Sequence, residues 1–278
     1  MGTSGPPQDG TSEGGGRGRR PPHGEPVVDR ALSLLDCFSA DRPYLSLSEL
    51  SRASGVPASS ALRLATRLAA WGALERLPDG RYSVGVHLYE VGCLAPRGRQ
   101  LRDIALPYMG DLADATGQHV LLAVRQGEHA LLIERLSGEH AVDTLYQVGE
   151  RLPLHSTGVG RVLLAYADEH FRVEYLARPL VAEPEHVPVD VAALGEELRE
   201  IVDRRAEVFQ RAVPRDVVSV AVPVFGRGEG VIAALSVLVP QTRPGARILL
   251  PAIRTAARSI SRGAGSQAAA LAPPRRRR

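Results

Sequence analysis

The chain has 278 residues, 44% hydrophobic and 23% charged, with a formal net charge of +3. That length allows two domains in an ordinary globular composition. No apolar run approaches the ~18 residues of a membrane span, and the Gly/Pro-rich start "MGTSGPPQDGTSEGGGRGRRPPHGEP" lacks a signal peptide's apolar stretch.

Residues 1–25 are therefore expected to be a disordered tail and the protein cytoplasmic. Residues 27 to 38, "VVDRALSLLDCF", put Val28, Ala31, Leu32, Leu35 and Phe38 at helical spacing. Ser46 and Glu49 then form an S-x-x-E capping box, which starts a second helix whose expected buried stripe is Leu47, Leu50 and Ala53. Ser54-Gly55 is a turn, and Pro57 suits the first turn of a third helix. Along that helix Ala58, Ala61, Leu62, Ala65, Leu68 and Ala69 read as the buried stripe, with Leu64 out of phase. Ser59, Ser60, Arg63, Thr66 and Arg67 fill the other side. Gly72 ends the helix. Two short strands follow around "PDG", where Pro presets φ and Gly takes positive φ. Three helices and a hairpin make a winged helix-turn-helix over 26–85.

Residues 86–104 read as a partly helical linker, interrupted at Pro96 and Gly98. From 105 the pattern is α+β. A helix stops at Gly117, a hairpin turns at Gly127, and "VDTLYQV" reads as a strand. Two short helices and a longer one, "VAALGEELREIVDRRAEV", come next. Two alternating strands then flank the turn "GRGEG", and a helix closes a domain ending near 264. Hairpins imply an antiparallel sheet covered by helices. Residues 265–278 read as a disordered basic tail.

The third helix has two readings: a solvated small-polar face, or a surface for DNA. All 34 basic residues are arginine, four of them in the terminal "RRRR", without which the net charge is −1. Residues 26–92 hold seven arginines against seven acidic residues, so a phosphate-facing surface must come from placement. The assembly favours DNA. Short residues Ser59 and Ser60 permit close approach in a major groove, and Arg63, Thr66 and Arg67 can reach base edges or phosphates, with Arg81 at the wing tip. A single winged helix reads few base pairs, so a homodimer or tetramer on a palindromic double-stranded operator is expected. The first helix and the linker are the expected pairing surfaces.

The stretches "VVDRALSLLDCF", "LSLSELSRASGVPASSALRLATRLAAWGALER" and "GRYSVG" resemble the DNA-binding domain of the IclR family of bacterial transcription regulators. Downstream, "GERLPLHSTGVGRVLLA" and "VVSVAVPVFGRGEGVIAALSVLVP" resemble the family's effector segment and paired strands. The resemblance spans residues 27 to 262. It implies a GAF-like antiparallel-sheet domain that binds small organic molecules, with a pocket at Leu152, Gly158, Val159, Ser219 and Ser236. Gly158 at a helix start would let a ligand reach backbone amides; close packing of helix on sheet is the other reason for a glycine there. The segment "RRAEVFQRAVPRD" departs from the family pattern. Phe209, Ala212 and Asp216 stand where acidic, Glu and Gly residues are usual, and Leu238 where a small polar residue is common. Phe209 and Leu238 therefore join the pocket list, and the expectation is an effector with a sizeable apolar body or DNA binding with no effector at all.

Nothing in the sequence calls for a cofactor. His119, His129 and His140 lack zinc-ligand spacing, and Cys37 and Cys93 fit packing better than a disulfide or metal site. His155 reads as a structural polar contact. No catalytic constellation is readable, so the expected protein is not an enzyme but a ligand-responsive DNA-binding regulator, a repressor. The alternative is a GAF-like small-molecule-binding protein or enzyme whose N-terminal domain makes protein contacts.

Overall fold

A computed structural model describes residues 26–39, 41–141, 146–182, 187–210, 217–241 and 246–267. The expectations for residues 1–25, 142–145 and 268–278 and for Ala212 and Asp216 lie outside these residues. Residues 265–267, read as the start of a disordered tail, are instead tied down: Ser266 is buried and Gln267 N–H donates to Glu229 Oε1 at 3.0 Å. The chain packs as two units, one ending at Glu90 and the other beginning at Val91.

The first unit contains α1 (Val27–Leu35), α2 (Leu47–Ser54), α3 (Ala58–Trp71), β1 (Leu74–Arg76), β2 (Tyr82–Val84) and the start of α4 (Val86–Gly92). The capping box forms as the sequence demands: Glu49 N–H donates to Ser46 Oγ at 3.3 Å, and Ser46 N–H donates to Glu49 Oε2 at 2.7 Å. Strand β1 pairs antiparallel with β2, and Leu45 exchanges two backbone hydrogen bonds with Tyr82, tying the entry to α2 onto the wing.

The core of this unit is Leu34, Leu45, Leu50, Val56, Ala61, Leu64, Ala65, Leu74 and Tyr82. Of the expected stripes, Ala31, Leu35, Phe38, Leu47, Leu68 and Ala69 pack against it, and the rest is corrected in part. On α1 the buried residue is Leu34, while Val28 and Leu32 are 66% and 51% exposed. On α2 Ala53 is exposed and Leu50 carries the burial. On α3 Leu64 is inside at 7% exposure and Leu62 outside at 45%. Alanine explains the phase error, since it serves a helix as well on the surface as in the core. Pro57 directly precedes α3, at its N-cap.

The second unit opens with α5 (Pro96–Thr116). Pro96 therefore starts a helix where the sequence reading placed an interruption, and Leu101 and Ala105 already lie in the core. Next come β3 (His119–Gln126), β4 (His129–Leu136), β5 (Arg151–Pro153), α6 (Gly158–Ala165) and α7 (Glu169–Leu176). A two-residue ribbon of β6 (Val181–Ala182) and β7 (Val187–Pro188) precedes α8 (Val191–Arg204) and β8 (Glu207–Gln210). Strands β9 (Val217–Phe225) and β10 (Val231–Pro240) lead to a 3-10 turn and α9 (Leu250–Gly263).

Six strands form one antiparallel sheet in the order β5-β4-β3-β10-β9-β8. Period-two alternation sends successive side chains to opposite faces. Val218, Val220, Val222 and Val237 meet α5 and α9, through Met109, Leu112, Ile253 and Ile260. Leu121, Ala221, Ala234 and Leu238 meet α6, α7 and α8, through Val162, Tyr175, Leu194 and Leu198. The sheet is thus the middle of three layers, and the α+β antiparallel class expected from the hairpins is what forms.

Two local expectations are corrected. The helix expected to run on through "RRAEV" ends when Arg205 takes φ 50°, and Glu207–Gln210 becomes edge strand β8 paired with β9. Tyr146, Gln147 and Val148, read as the end of a strand, lie in none.

Candidate nucleic-acid interface and effector cavity

The turn between α2 and α3 is locked by its own serines. Gly55 adopts φ 71°, Ser54 Oγ donates to Leu50 O at 2.6 Å, and Ser51 Oγ donates to Val56 O at 2.7 Å. Val56 is buried at 3% exposure, so the turn is anchored in the core and fixes how α3 leaves α2. With Ala61, Leu64 and Ala65 inside, the outer face of α3 carries Ser59, Leu62, Arg63, Thr66 and Arg67; Ser60 lies half-buried at its flank. Arg63 and Arg67 have no ion pair or hydrogen bond among the described residues, and no acidic residue lies on α3. Thr66 Oγ1 donates to Leu62 O at 2.8 Å. Arg81 is less free than the sequence implies. It pairs with Asp79 at 2.7 Å and lies over the Tyr44 ring, 5.3 Å from its centroid.

The second site is a cavity between the sheet and the start of α6. It is lined by Leu121, Tyr146, Leu152, Thr157, Gly158, Val159, Phe209, Val217, Ser219, Ser236 and Leu238. All seven residues expected around an effector meet there. Register explains the floor. Phe209 pairs with Ser219 and Ser219 with Leu238, a cross-strand row from β8 to β10. Ser236 lies in the next row, opposite Ala221 on β9 and Leu121 on β3. The roof is Thr157, Gly158 and Val159. Thr157 caps α6 by accepting from Gly160 N–H at 3.1 Å, and the amides of Gly158 and Val159 have no partner among the described residues.

Two polar features stand out. Ser236 is fully buried and its Oγ has no hydrogen-bond partner among the described residues. Gly158 has a packing reason to be glycine, because a Cβ there would lie 2.3 Å from Ser219 Oγ and 2.7 Å from Ser219 Cβ. The open volume is about 20 Å³, enough for one water. That is far below what a sizeable apolar body needs, so such a ligand enters only if a wall moves. Phe209 is a half-buried wall, backed by the Arg161 guanidinium 4.4 Å from its ring centroid. Arg161 also pairs with Glu197 at 2.7 Å and Glu207 at 3.1 Å. Burial pushes the Glu207 carboxyl above the ordinary carboxylate range, with Arg161 acting the other way.

His155 holds the segment leading to α6. Its Nε2 lies 2.8 Å from Val181 O and its Nδ1 2.8 Å from Tyr175 Oη. The carbonyl can only accept, so Nε2 carries the proton and, in the neutral ring, Tyr175 O–H donates to Nδ1. This is the structural role the sequence reading gave it. Cys37 packs in the first core, and burial pushes its thiol up.

Leu121, Tyr146, Thr157, Val217 and the exposed Leu62 were not found from the sequence. Thr157 had a signal, a helix-capping residue directly before the glycines. Leu121 and Val217 sit in runs apolar on both faces, where alternation says nothing, and Tyr146 has no local signal.

A winged helix-turn-helix, with a second α+β unit enclosing a cavity that holds an orphaned hydroxyl, defines a DNA-binding regulator with a sensor for small molecules. Comparison with known proteins agrees. The family described as "IclR helix-turn-helix domain" matches residues 27–78, and "Bacterial transcriptional regulator IclR C-terminal" matches residues 95–262. The chain belongs to the IclR family and is a ligand-responsive DNA-binding transcription regulator of that kind. It is 27% identical over 212 residues to the HTH-type transcriptional regulator KipR of Bacillus subtilis, covering 76% of this chain and 84% of KipR. It is 31% identical over 143 residues to the HTH-type transcriptional regulator XynR of Escherichia coli, but that match spans only 51% of this chain and 57% of XynR. Among solved structures, an IclR homolog from Microbacterium hydrocarbonoxydans complexed with 4-hydroxybenzoate is 30% identical, with a TM-score of 0.80 and coverage of 86% of this chain and 98% of that one. No described helix is long and apolar enough to cross a membrane.

Proposed function

We propose that the chain is a cytoplasmic repressor that binds a palindromic operator as a homodimer or tetramer. In this reading the outer face of α3 enters the major groove, with Arg63 at base edges and Arg67 at phosphate, and an organic acid with an apolar body occupies the cavity. The observation that carries the effector half is the buried Ser236 hydroxyl, without a partner among the described residues, in a cavity that Gly158 and Val159 also line. A carboxylate or hydroxyl there would satisfy the Ser236 hydroxyl, and a helix start favours an anion. The walls of Leu121, Val217, Phe209 and Leu238 favour a hydrophobic body. The aromatic acid bound by the Microbacterium homolog supports that class. A short keto acid would also need the cavity to open, and it brings little apolar area to offset that cost. Pairing of copies draws support from the exposed Val27, Val28 and Leu32 on α1 and Val86 and Tyr89 on α4, at 51–70% exposure.

The test is a gel shift on the DNA upstream of the chain's own coding region, with calorimetry against aromatic acids and short keto acids. Arg63→Ala should weaken operator binding by about 1–3 kcal/mol and leave the fold intact, since the residue points away from the core. Unchanged operator affinity in a folded Arg63→Ala protein refutes the docking. Tight binding of only two- or three-carbon keto acids refutes the apolar effector, and a monomer by light scattering refutes the assembly.

A further inference from the structure

Leucine is an odd residue for the middle of a DNA-facing surface. Leu62 is 45% exposed, while Ala61, Leu64 and Ala65 on the same helix are 7% exposed or less. It sits between Ser59 and Thr66 on the outer face, with the unpaired Arg63 beside it. Thr66 adds to the oddity. Its hydroxyl proton is committed to Leu62 O at 2.8 Å, so the side chain has no donor left for a base edge and offers its methyl beside an oxygen that can only accept. One turn apart, Leu62 and the Thr66 methyl thus form an apolar patch inside a face of serine and arginine.

We propose that this patch reads the C5-methyl of a thymine in the major groove, making Leu62 a specificity-determining residue. The inference rests on the reading of α3 as the recognition helix. Arginines flanking the patch suit phosphates and guanine edges, and they recruit an anion, which favours nucleic acid over a protein groove as the occupant. Within the major groove the thymine methyl is the apolar group on offer, and phosphates give a leucine nothing. Leu62 lies outside the core cluster of its unit, so packing within the described residues does not account for it.

The test uses the full-length chain and the operator from its own upstream DNA, mapped by footprinting. Each thymine is replaced in turn by deoxyuridine, which removes only the methyl, and affinity is read by fluorescence anisotropy. One symmetry-related pair of thymines should be sensitive, with a loss of about fourfold per half-site, the transfer worth of one methyl-sized group. Leu62→Ala should weaken binding to the thymine operator and abolish the deoxyuridine effect at that pair, a coupling read as a double-mutant cycle. Thr66→Val, which keeps a methyl and drops the hydroxyl, should retain the sensitivity. Circular dichroism checks that both variants are folded. Deoxyuridine without effect at every position, or full sensitivity surviving in Leu62→Ala, overturns the proposal while leaving α3 as the DNA-binding element. Loss of sensitivity in Thr66→Val also counts against it. Absence of any operator complex with the wild-type chain overturns the recognition-helix reading itself.

Discussion

Ser236 and Ser261 are 0% and 1% exposed, yet their replacement by alanine should move stability in opposite directions. Ser261 Oγ donates to Ala257 O at 2.7 Å and accepts from Phe225 N–H at 2.9 Å. Removing it strands a backbone donor at the end of β9 and costs about 1–3 kcal/mol. Ser236 Oγ has no hydrogen-bond partner among the described residues. With no water in the small space beside it, burying an unpartnered hydroxyl costs about 1–3 kcal/mol by mutational comparison, and Ser236→Ala removes that cost while giving up the dispersion contacts of a single atom. For a domain of this size 1 kcal/mol moves the melting temperature by about 2–4 °C. The ligand-free Ser236→Ala protein should therefore melt a few degrees higher than wild type, and Ser261→Ala a few degrees lower.

The same change should weaken the effector. A neutral hydrogen bond contributes about 0.5–1.5 kcal/mol and one to a charged group about 1.5–3, so affinity for a carboxylate seated on Ser236 should fall roughly tenfold or more. Differential scanning calorimetry without ligand and titration calorimetry with it read both quantities on one preparation. A lower melting temperature for Ser236→Ala would mean that the hydroxyl is satisfied in solution. An unchanged effector affinity would mean that the ligand does not meet it. Either result removes the main support for the cavity as the effector site.

Gly158→Ala should destabilise the second unit by about 1–3 kcal/mol, because the new Cβ falls 2.3 Å from Ser219 Oγ; a chemical denaturation midpoint equal to wild type would show that the helix start is slack. Glu207 gives a pH signature. Its folded pKa is raised, chiefly by burial, so the folded state holds more protons than the unfolded one between the ordinary carboxylate pKa and the raised value. Its contribution to stability is present below that window and is lost as pH rises through it. The stability of wild type relative to Glu207→Gln should therefore fall across that window, and a difference independent of pH would contradict the assignment.

Much of the architecture is legible because local rules agree with one another. The Ser46–Glu49 box, the Gly55 turn, the glycines at Gly72 and Gly117, and the hairpin around Gly127 each need one residue type at one place, and each forms. Failures come where the signal is degenerate. Alanine hides the phase of α3. Arginine in a left-handed conformation at Arg205 stops α8 where a glycine would have announced the stop, so β8 went unseen. The cavity was legible in part. A resemblance supplied Leu152, Gly158, Val159, Ser219 and Ser236, but the cross-strand row that sets Phe209 beside Ser219 and Leu238 is a matter of register between strands distant in sequence.

Ser236 and Leu62 break the same rule in opposite senses. On β10 the positions facing α6 are Ala234, Ser236 and Leu238, and a sheet interior selected only for stability would hold an apolar residue between the outer two. On α3 a face selected only for solubility would not hold a leucine between a serine and an arginine. A polar atom kept inside without a partner and an apolar side chain kept outside without a core both lower the consistency that makes a sequence fold to one state. Such violations persist where something outside the chain completes them. In the proposed reading the hydroxyl meets a polar atom that arrives with a ligand, and the leucine an apolar group that arrives with a base. On that reading the two positions carry the chemistry of two different partners, one a ligand and one a base.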